Sequence, residues 1–289
     1  MRVKRKFKIS ALGIVSFVVL AVYGVSLCVP LVWAFITSFK DNLDYLTNAF
    51  GLPQQWVNNY AAVFRYFSVP VNEQTTVGIP NMLVTSVLYA LGSAVFATAA
   101  SLFVAYVVAR FRFKFCSVIY TIIIVQMIIP IVGSLPSEIR MAKLLGIYDS
   151  ILGIYFMKTY VTGLYFLLFL AALKVIPKDF SEAAYMDGAG NLTVMFRIMF
   201  PIVSGSISTV VLLNFITFWN DYQTPLMYMP SHPTLAYGLF YYVNGSFEQE
   251  TSTVPMRLAG CMLMAIPLFL IFICFQKKLL NKVSAGGLK

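Results

Sequence analysis

Two short polar runs carry the residues with chemical potential. The first is Glu182-Ala183-Ala184-Tyr185-Met186-Asp187-Gly188-Ala189-Gly190, set between long apolar stretches and leading to Ile198-Met199-Phe200-Pro201. Two carboxylates among small residues offer little to a catalyst, but the alanines let another protein's surface approach a backbone closely. The run reads as a docking element on the inner side of a membrane protein. Asp179 and Glu182 have the Asp-x-x-Glu spacing of a capping pair, and Gly188 or Gly190 can supply a left-handed stop, which predicts a helix of about two turns. Phe180, Ala183, Ala184 and Asp187 then share one face at i, i+3, i+4 and i+7. Asn191 is read as the cap of a second short helix leading to Pro201.

The second run is Phe218-Trp219-Asn220-Asp221-Tyr222. A Trp, Asn, Asp and Tyr side by side can hydrogen-bond to and stack on a sugar-like solute, and polar groups at membrane depth are functional by default. About 20 residues from Ile202 brings Asp221 close to the outer boundary, where the same residues make an interfacial anchor. Both readings stay open at this point.

Little else could do chemistry. There is no Gly-x-x-x-x-Gly-Lys-Ser/Thr loop, so nucleotide chemistry must belong to a separate chain. His232 is the single histidine and Cys28, Cys116, Cys261 and Cys274 have no paired spacing, which predicts no metal site and no bound cofactor. Nor is there a carboxylate pair inside a span or a nucleophile motif, so no catalytic residues are assigned.

These runs must be positioned by membrane helices. Of 289 residues 60% are hydrophobic and 11% charged, outside the range of a soluble domain. Six stretches of about 20 or more mostly apolar residues run roughly over 11–37, 82–109, 115–136, 151–174, 202–228 and 256–276, each long enough to cross a bilayer as a helix. Of the 21 lysines and arginines, all but Lys40, Arg65, Arg140, Lys143, Lys158 and Arg257 fall on one side of that arrangement, with only Asp179, Glu182 and Asp187 among the 11 acids. The positive-inside rule therefore predicts six spans with both termini cytoplasmic, an all-α polytopic membrane protein in a single domain over 1–289. That distribution also explains the net charge of +10 without nucleic acid. The first run is too long for the apolar core of a secretory signal and lacks a small-residue cleavage site, so it is expected to stay as an uncleaved helix.

Between the first two spans an outer loop over 38–80 is expected, with short helical pieces, many aromatics and a flexible polar portion at Val71–Gly78 that either touches a partner or is plain surface. Ser93, Ala97, Ser101, Ala105 and Ala109 recur every four residues on the second span, a face suited to close helix packing or, alternatively, to lining a path. Pro30, Pro130, Pro136, Pro225 and Pro267 bound or interrupt spans, and a bend is expected in the third.

Glu182-Ala183-Ala184, Asp187-Gly188-Ala189, Ile198 and Pro201 resemble the "EAA" loop of permeases in ATP-binding-cassette (ABC) importers. Ile176-Pro177-Lys178-Asp179, Phe218–Tyr222, Ser38-Phe39-Lys40, Trp56-Val57-Asn58-Asn59-Tyr60 and the tail Ser284–Lys289 are similar to the carbohydrate branch, in particular the second permease of maltose-type systems. The resemblance covers nearly the whole chain. It implies a type I importer fold in the bacterial cytoplasmic membrane and transport of a sugar or oligosaccharide. The implied partners are a homologous second permease, two ABC ATPase subunits or domains that hold ATP-Mg, and an extracytoplasmic solute-binding protein. Glu182, Ala183, Ala184, Asp187 and Gly188 would couple to the ATPase, and Trp219, Asn220, Asp221 and Tyr222 are candidates for the solute pathway. The ending Gly287-Leu288-Lys289 departs from the usual valine-lysine-glycine, which puts a tail contact with the ATPase in doubt. Two alternatives stand: a secondary transporter for a small polar solute, and an importer of the same class for a non-sugar solute.

Overall fold

The computed structural model describes residues 11–72, 74–111, 113–129, 133–244 and 253–283. The tail 284–289 and the bend expected at Pro130 lie outside them. The helices are α1 (Ala11–Thr37), α2 (Asn42–Thr47), α3 (Asn59–Tyr66), α4 (Ile79–Arg110), α5 (Lys114–Ile128), α6 (Leu135–Leu144), α7 (Ile151–Met157), α8 (Gly163–Val175), α9 (Asp179–Met186), α10 (Asn191–Val194), α11 (Phe200–Ile202), α12 (Ser204–Trp219), α13 (Gln223–Tyr228), α14 (Leu235–Asn244) and α15 (Val254–Val283). The chain is mostly helical but not wholly so. β1 (Ser68–Asn72) and β2 (Thr75–Gly78) pair antiparallel, Val69 opposite Val77, so the portion expected to be a flexible loop is a hairpin.

The chain divides into two compact units, residues 1–67 with 246–265 and residues 68–245 with 266–289. In the first, α1 is followed by a knot of polar contacts. Lys40 is fully buried, and its ammonium donates to the Asn48 carbonyl. Asn59 Nδ2 donates to the carbonyls of Ser38 (2.8 Å) and Lys40 (2.7 Å), and Trp33 Nε1 donates to Ala49 O (2.9 Å). The Ser38-Phe39-Lys40 and Trp56–Tyr60 motifs thus meet in one built segment, with Phe39 against the rings of Trp56 and Tyr60.

In the second unit α4 is the central helix. Its small stripe is buried at Ser93, Ala97, Ser101 and Ala105, and packs rather than standing open. Lipid gives helices no hydrophobic reason to associate, so close backbone approach and van der Waals contact must hold them. Ser101 Oγ accepts from the Thr162 amide at the start of α8 (3.1 Å), and Phe166, Phe169 and Leu173 of α8 pack with Ala105 and Tyr106. On the neighbouring face Asn214 of α12 donates to Thr98 Oγ1 (3.0 Å).

Among the described residues two helices, Gly13–Thr37 and Ile79–Arg110, are long and apolar enough to cross a membrane alone. Three of the other expected spans are not single helices. The stretch 151–174 breaks between α7 and α8 at Lys158–Thr162, and within 115–136 α5 ends at Ile128 and a separate helix, α6, starts at Leu135. Over 202–228, α12 ends at Trp219 and α13 follows. The helical segments Asn191–Ile202 and Ser204–Trp219 meet at 76°. Between α10 and α11, Met195–Met199 widen into a π-turn in which the Phe200 amide donates to Met195 O. Pro201 has no N–H to give to the preceding turn, so the α-helical ladder cannot run through it and the widened turn absorbs the gap.

Candidate functional site: a docking loop and a buried ionic cluster

The loop after α8 is set by Pro177. A residue before proline is driven from helical to extended backbone, and Ile176 is extended (φ −71°, ψ 123°), which ends α8. Arg110 Nη2, at the end of α4, donates to the carbonyls of Leu173 (3.1 Å) and Ile176 (3.2 Å) and lies 3.3 Å from Met199 Sδ. A guanidinium thus sits on the negative C-terminal end of α8 and ties three segments together.

The capping box expected of Asp179 and Glu182 does not form. Lys178 is the N-cap, its carbonyl accepts from the Ser181 (2.8 Å) and Glu182 (3.0 Å) amides, and no side chain caps the helix. Helix α9 begins one residue earlier than the box requires, so Asp179 is its first residue and its carboxylate is out of position. The predicted glycine stop does form. Gly188 is left-handed (φ +79°), Ala189 N donates to Ala184 O (2.9 Å) and Gly188 N to Tyr185 O (3.0 Å), the paired bonds of a Schellman end. Asn191 is likewise the first residue of α10 and not its cap; its Oδ1 accepts from Tyr185 Oη (2.9 Å).

Only one edge of α9 faces inward. Ser181 and Ala184 are buried, Ala184 among Ile176, Val194, Met195 and Met199. The expected shared face is therefore split, with Ala184 covered and Phe180, Glu182, Ala183 and Asp187 exposed. Large apolar side chains stand out on the open side: Met186 is 88% exposed, Leu192 69%, Phe180 53% and Phe196 52%.

The run Trp219–Tyr222 has a different fate. Trp219 is buried and stacks on Phe215 (centroids 5.6 Å apart). Asn220 is exposed, but its Nδ2 donates back to Ile216 O (2.8 Å). Tyr222 stacks on Phe240 (4.3 Å). Asp221 is held by three donors: Tyr89 Oη on Oδ2 (2.7 Å), the Thr224 amide on Oδ1 (3.0 Å) and the Lys158 ammonium 3.6 Å from Oδ2. Lys158 also donates to Thr224 Oγ1 (3.1 Å) and lies over the Phe218 ring (5.0 Å). The side chains of Lys158 and Asp221 are only 15% and 19% exposed, so this ion pair is largely withdrawn from solvent. Nearby, Tyr228 Oη donates to Glu138 Oε2 (2.7 Å), and hydrogen bonds from Ser134 and Tyr228 hold the Glu138 carboxyl below its ordinary value.

Tyr89 and Lys158 escape a reading of the sequence. Lys158 was the available signal: a cation inside an apolar stretch needs an anionic partner, and Asp221 is the one acid placed within a predicted span. Chemically this cluster anchors the break between α7 and α8 to α4 and to the α12–α13 junction. Among the described residues no group of three or more His, Cys, Asp or Glu is placed to hold a metal ion.

An exposed loop helix thus projects from a mostly helical chain that carries helices long enough to cross a membrane. Residues 9–285 match the family of binding-protein-dependent transport system inner membrane components, and the chain belongs to that family. It is similar to the diacetylchitobiose uptake system permease of Streptomyces coelicolor, at 25% identity over 94% of this chain and 87% of that one. It is also similar to the multiple sugar-binding transport system permease of Streptococcus mutans (28%, covering 95% and 96%) and to a probable permease for starch degradation products of Thermoanaerobacterium thermosulfurigenes (27%, covering 99% and 97%). Its fold is that of a chain in a bacterial ABC transporter that imports the polysaccharide alginate, with a TM-score of 0.69 over 92% of this chain and 95% of that one at 22% identity.

Proposed function

We propose that this chain is one permease half of an ABC importer for a sugar or oligosaccharide, with six spans over the ranges given above and both termini in the cytoplasm. Helix α9 seats in a groove of a separate ATPase, which holds ATP-Mg, and closure of the nucleotide sites swings the spans between inward-facing and outward-facing states. A homologous permease completes the pathway, and an extracytoplasmic binding protein delivers the solute.

The observation that carries this reading is the Schellman-ended α9, which is fixed to the body by Ser181 and Ala184 and presents Phe180, Ala183, Met186 and Asp187 outward. Exposed apolar side chains grouped on one loop are a partner surface rather than a solvated one. The carbohydrate class is supported by the names of the three relatives above. Glu182, Asp187 and Gly188 transmit force. Asp221 and Trp219 act as structural anchors, which leaves Asn220 and Tyr222 as the members of that run with surface to offer a solute.

Replacing Gly188 with valine tests the coupling. A β-branched residue cannot hold φ +79° without strain, so the end of α9 must rearrange. Gly188→Val is expected to abolish uptake of labelled oligosaccharide into vesicles carrying the full complex and to disconnect ATP hydrolysis from the binding protein. Uptake at the normal rate sinks the coupling assignment. Uptake of peptides in preference to any carbohydrate sinks the solute class alone.

A further inference from the structure

Behind α9 lies a polar cavity of about 600 Å³, lined by Arg110 and Phe111 from the end of α4, by Lys174, and by Lys178, Ser181 and Glu182 at the start of α9. Its polar groups are unspent. Ser181 is 8% exposed and its Oγ has no hydrogen-bond partner, and the buried Arg110 Nε has none either. Among the described residues Lys174, Lys178 and Glu182 form no ion pair. Apart from the exposed Glu182 carboxylate, every unspent group can donate, and Lys174, Lys178 and Arg110 bring three full positive charges. Such a wall takes an anion with several acceptor oxygens, and a tetrahedral phosphate offers ammonium and hydroxyl donors an acceptor in each direction.

Depth decides where that phosphate comes from. Helix α4 has 32 residues and rises about 48 Å, more than the roughly 30 Å of hydrocarbon and the 40–45 Å that includes both headgroup layers. Its terminal Arg110 therefore reaches headgroup level. The flanks are apolar and open: Val175 is 82% exposed and Phe113 49%, as suits residues beside acyl chains. Basic pockets at the inner ends of membrane helices favour anionic headgroups.

We propose that this cavity binds the phosphate of an anionic glycerophospholipid, with Lys174, Lys178 and Ser181 as its donors, so that a lipid is wedged between the membrane body and the docking helix. The proposal rests on the orientation given under Proposed function, in which this end of α4 faces the cytoplasm.

The test uses the full-length chain, purified with whatever subunits accompany it, in nanodiscs of phosphatidylcholine containing a minor fraction of phosphatidylglycerol. Lipid retained on gentle delipidation is quantified by native mass spectrometry. Phosphatidylglycerol is expected to be enriched on the protein. Lys174→Gln with Lys178→Gln should lower that enrichment roughly 25-fold, each basic group near a lipid surface contributing about fivefold. Both lysines are exposed, so the fold should tolerate the change; Lys143→Gln is the control and should leave retention unaltered. Equal retention in the double variant overturns the proposal. Lysine-dependent binding of inorganic phosphate in pure phosphatidylcholine, with no preference for the anionic lipid, overturns the lipid assignment. Protection of the two lysines from acetylation only when the ATPase is bound makes this a protein interface and also overturns it. Gly188→Val should retain the lipid while losing uptake, so failure of the coupling reading and failure of this one are told apart.

Discussion

A lysine ammonium among apolar helices requires an anion, and Lys158 has one in Asp221. Withdrawn from water, such a pair contributes little net stability while intact, but removing one member strands the other and costs about 3 to 5 kcal/mol. Asp221→Asn keeps one carbonyl oxygen where the carboxylate gave separate oxygens to Tyr89 and Thr224, and it leaves Lys158 unneutralised, so it should lower unfolding stability by about 3 kcal/mol. Adding Lys158→Met removes the stranded charge and should restore most of that loss. Denaturant melts of the purified single and double variants decide the matter; equal losses in both would mean that solvent screens the pair. The Trp219–Tyr222 run was legible as a group of polar and aromatic residues, yet its use was not. One of the three donors that fix Asp221 is Tyr89, 132 residues away in sequence, and no local pattern shows that pairing.

At the level of elements, the stop at Gly188 was readable because a left-handed C-terminal residue has a narrow sequence signature, whereas the start of α9 was not. A one-residue shift of the start moved Asp179 from cap to first turn, and nothing in Asp-x-x-Glu distinguishes these registers. The small stripe on α4 was legible for the same reason as the glycine: absence of side chain is itself a geometric statement. Gly92 extends it. A Cβ there would run into the ring of Tyr155, which stacks on Phe96 and donates to Leu88 O (2.6 Å). Gly92→Ala should therefore destabilise by about 1 to 3 kcal/mol through overpacking. Gly24 in α1 has open space around the same position, so Gly24→Ala should be neutral or stabilise by up to about 1 kcal/mol from helix propensity alone. Thermal unfolding of the two variants side by side separates these effects. Equal midpoints would show that Tyr155 swings aside freely.

For the whole molecule, hydropathy located the apolar stretches but not their continuity. A window average passes over Lys158–Thr162, over the end of α5 and over the bend at Val203, because each break is shorter than the window and flanked by apolar residues. Charge distribution is a separate guide, since it depends only on which side a loop occupies. It yields a direct test at the bent pair, where α10 to α12 take the chain from the α9 loop to the turn before α14. In a background without the native cysteines, Gly190→Cys and Ser231→Cys each place one thiol at an exposed position on either side of that passage. If 202–228 is one crossing, an impermeant maleimide should label Gly190→Cys only in inverted vesicles and Ser231→Cys only in right-side-out ones. Labelling of both from the same face would make the 76° bend a re-entrant turn. The crossings would then number five, an odd count that puts the two termini on opposite sides of the membrane.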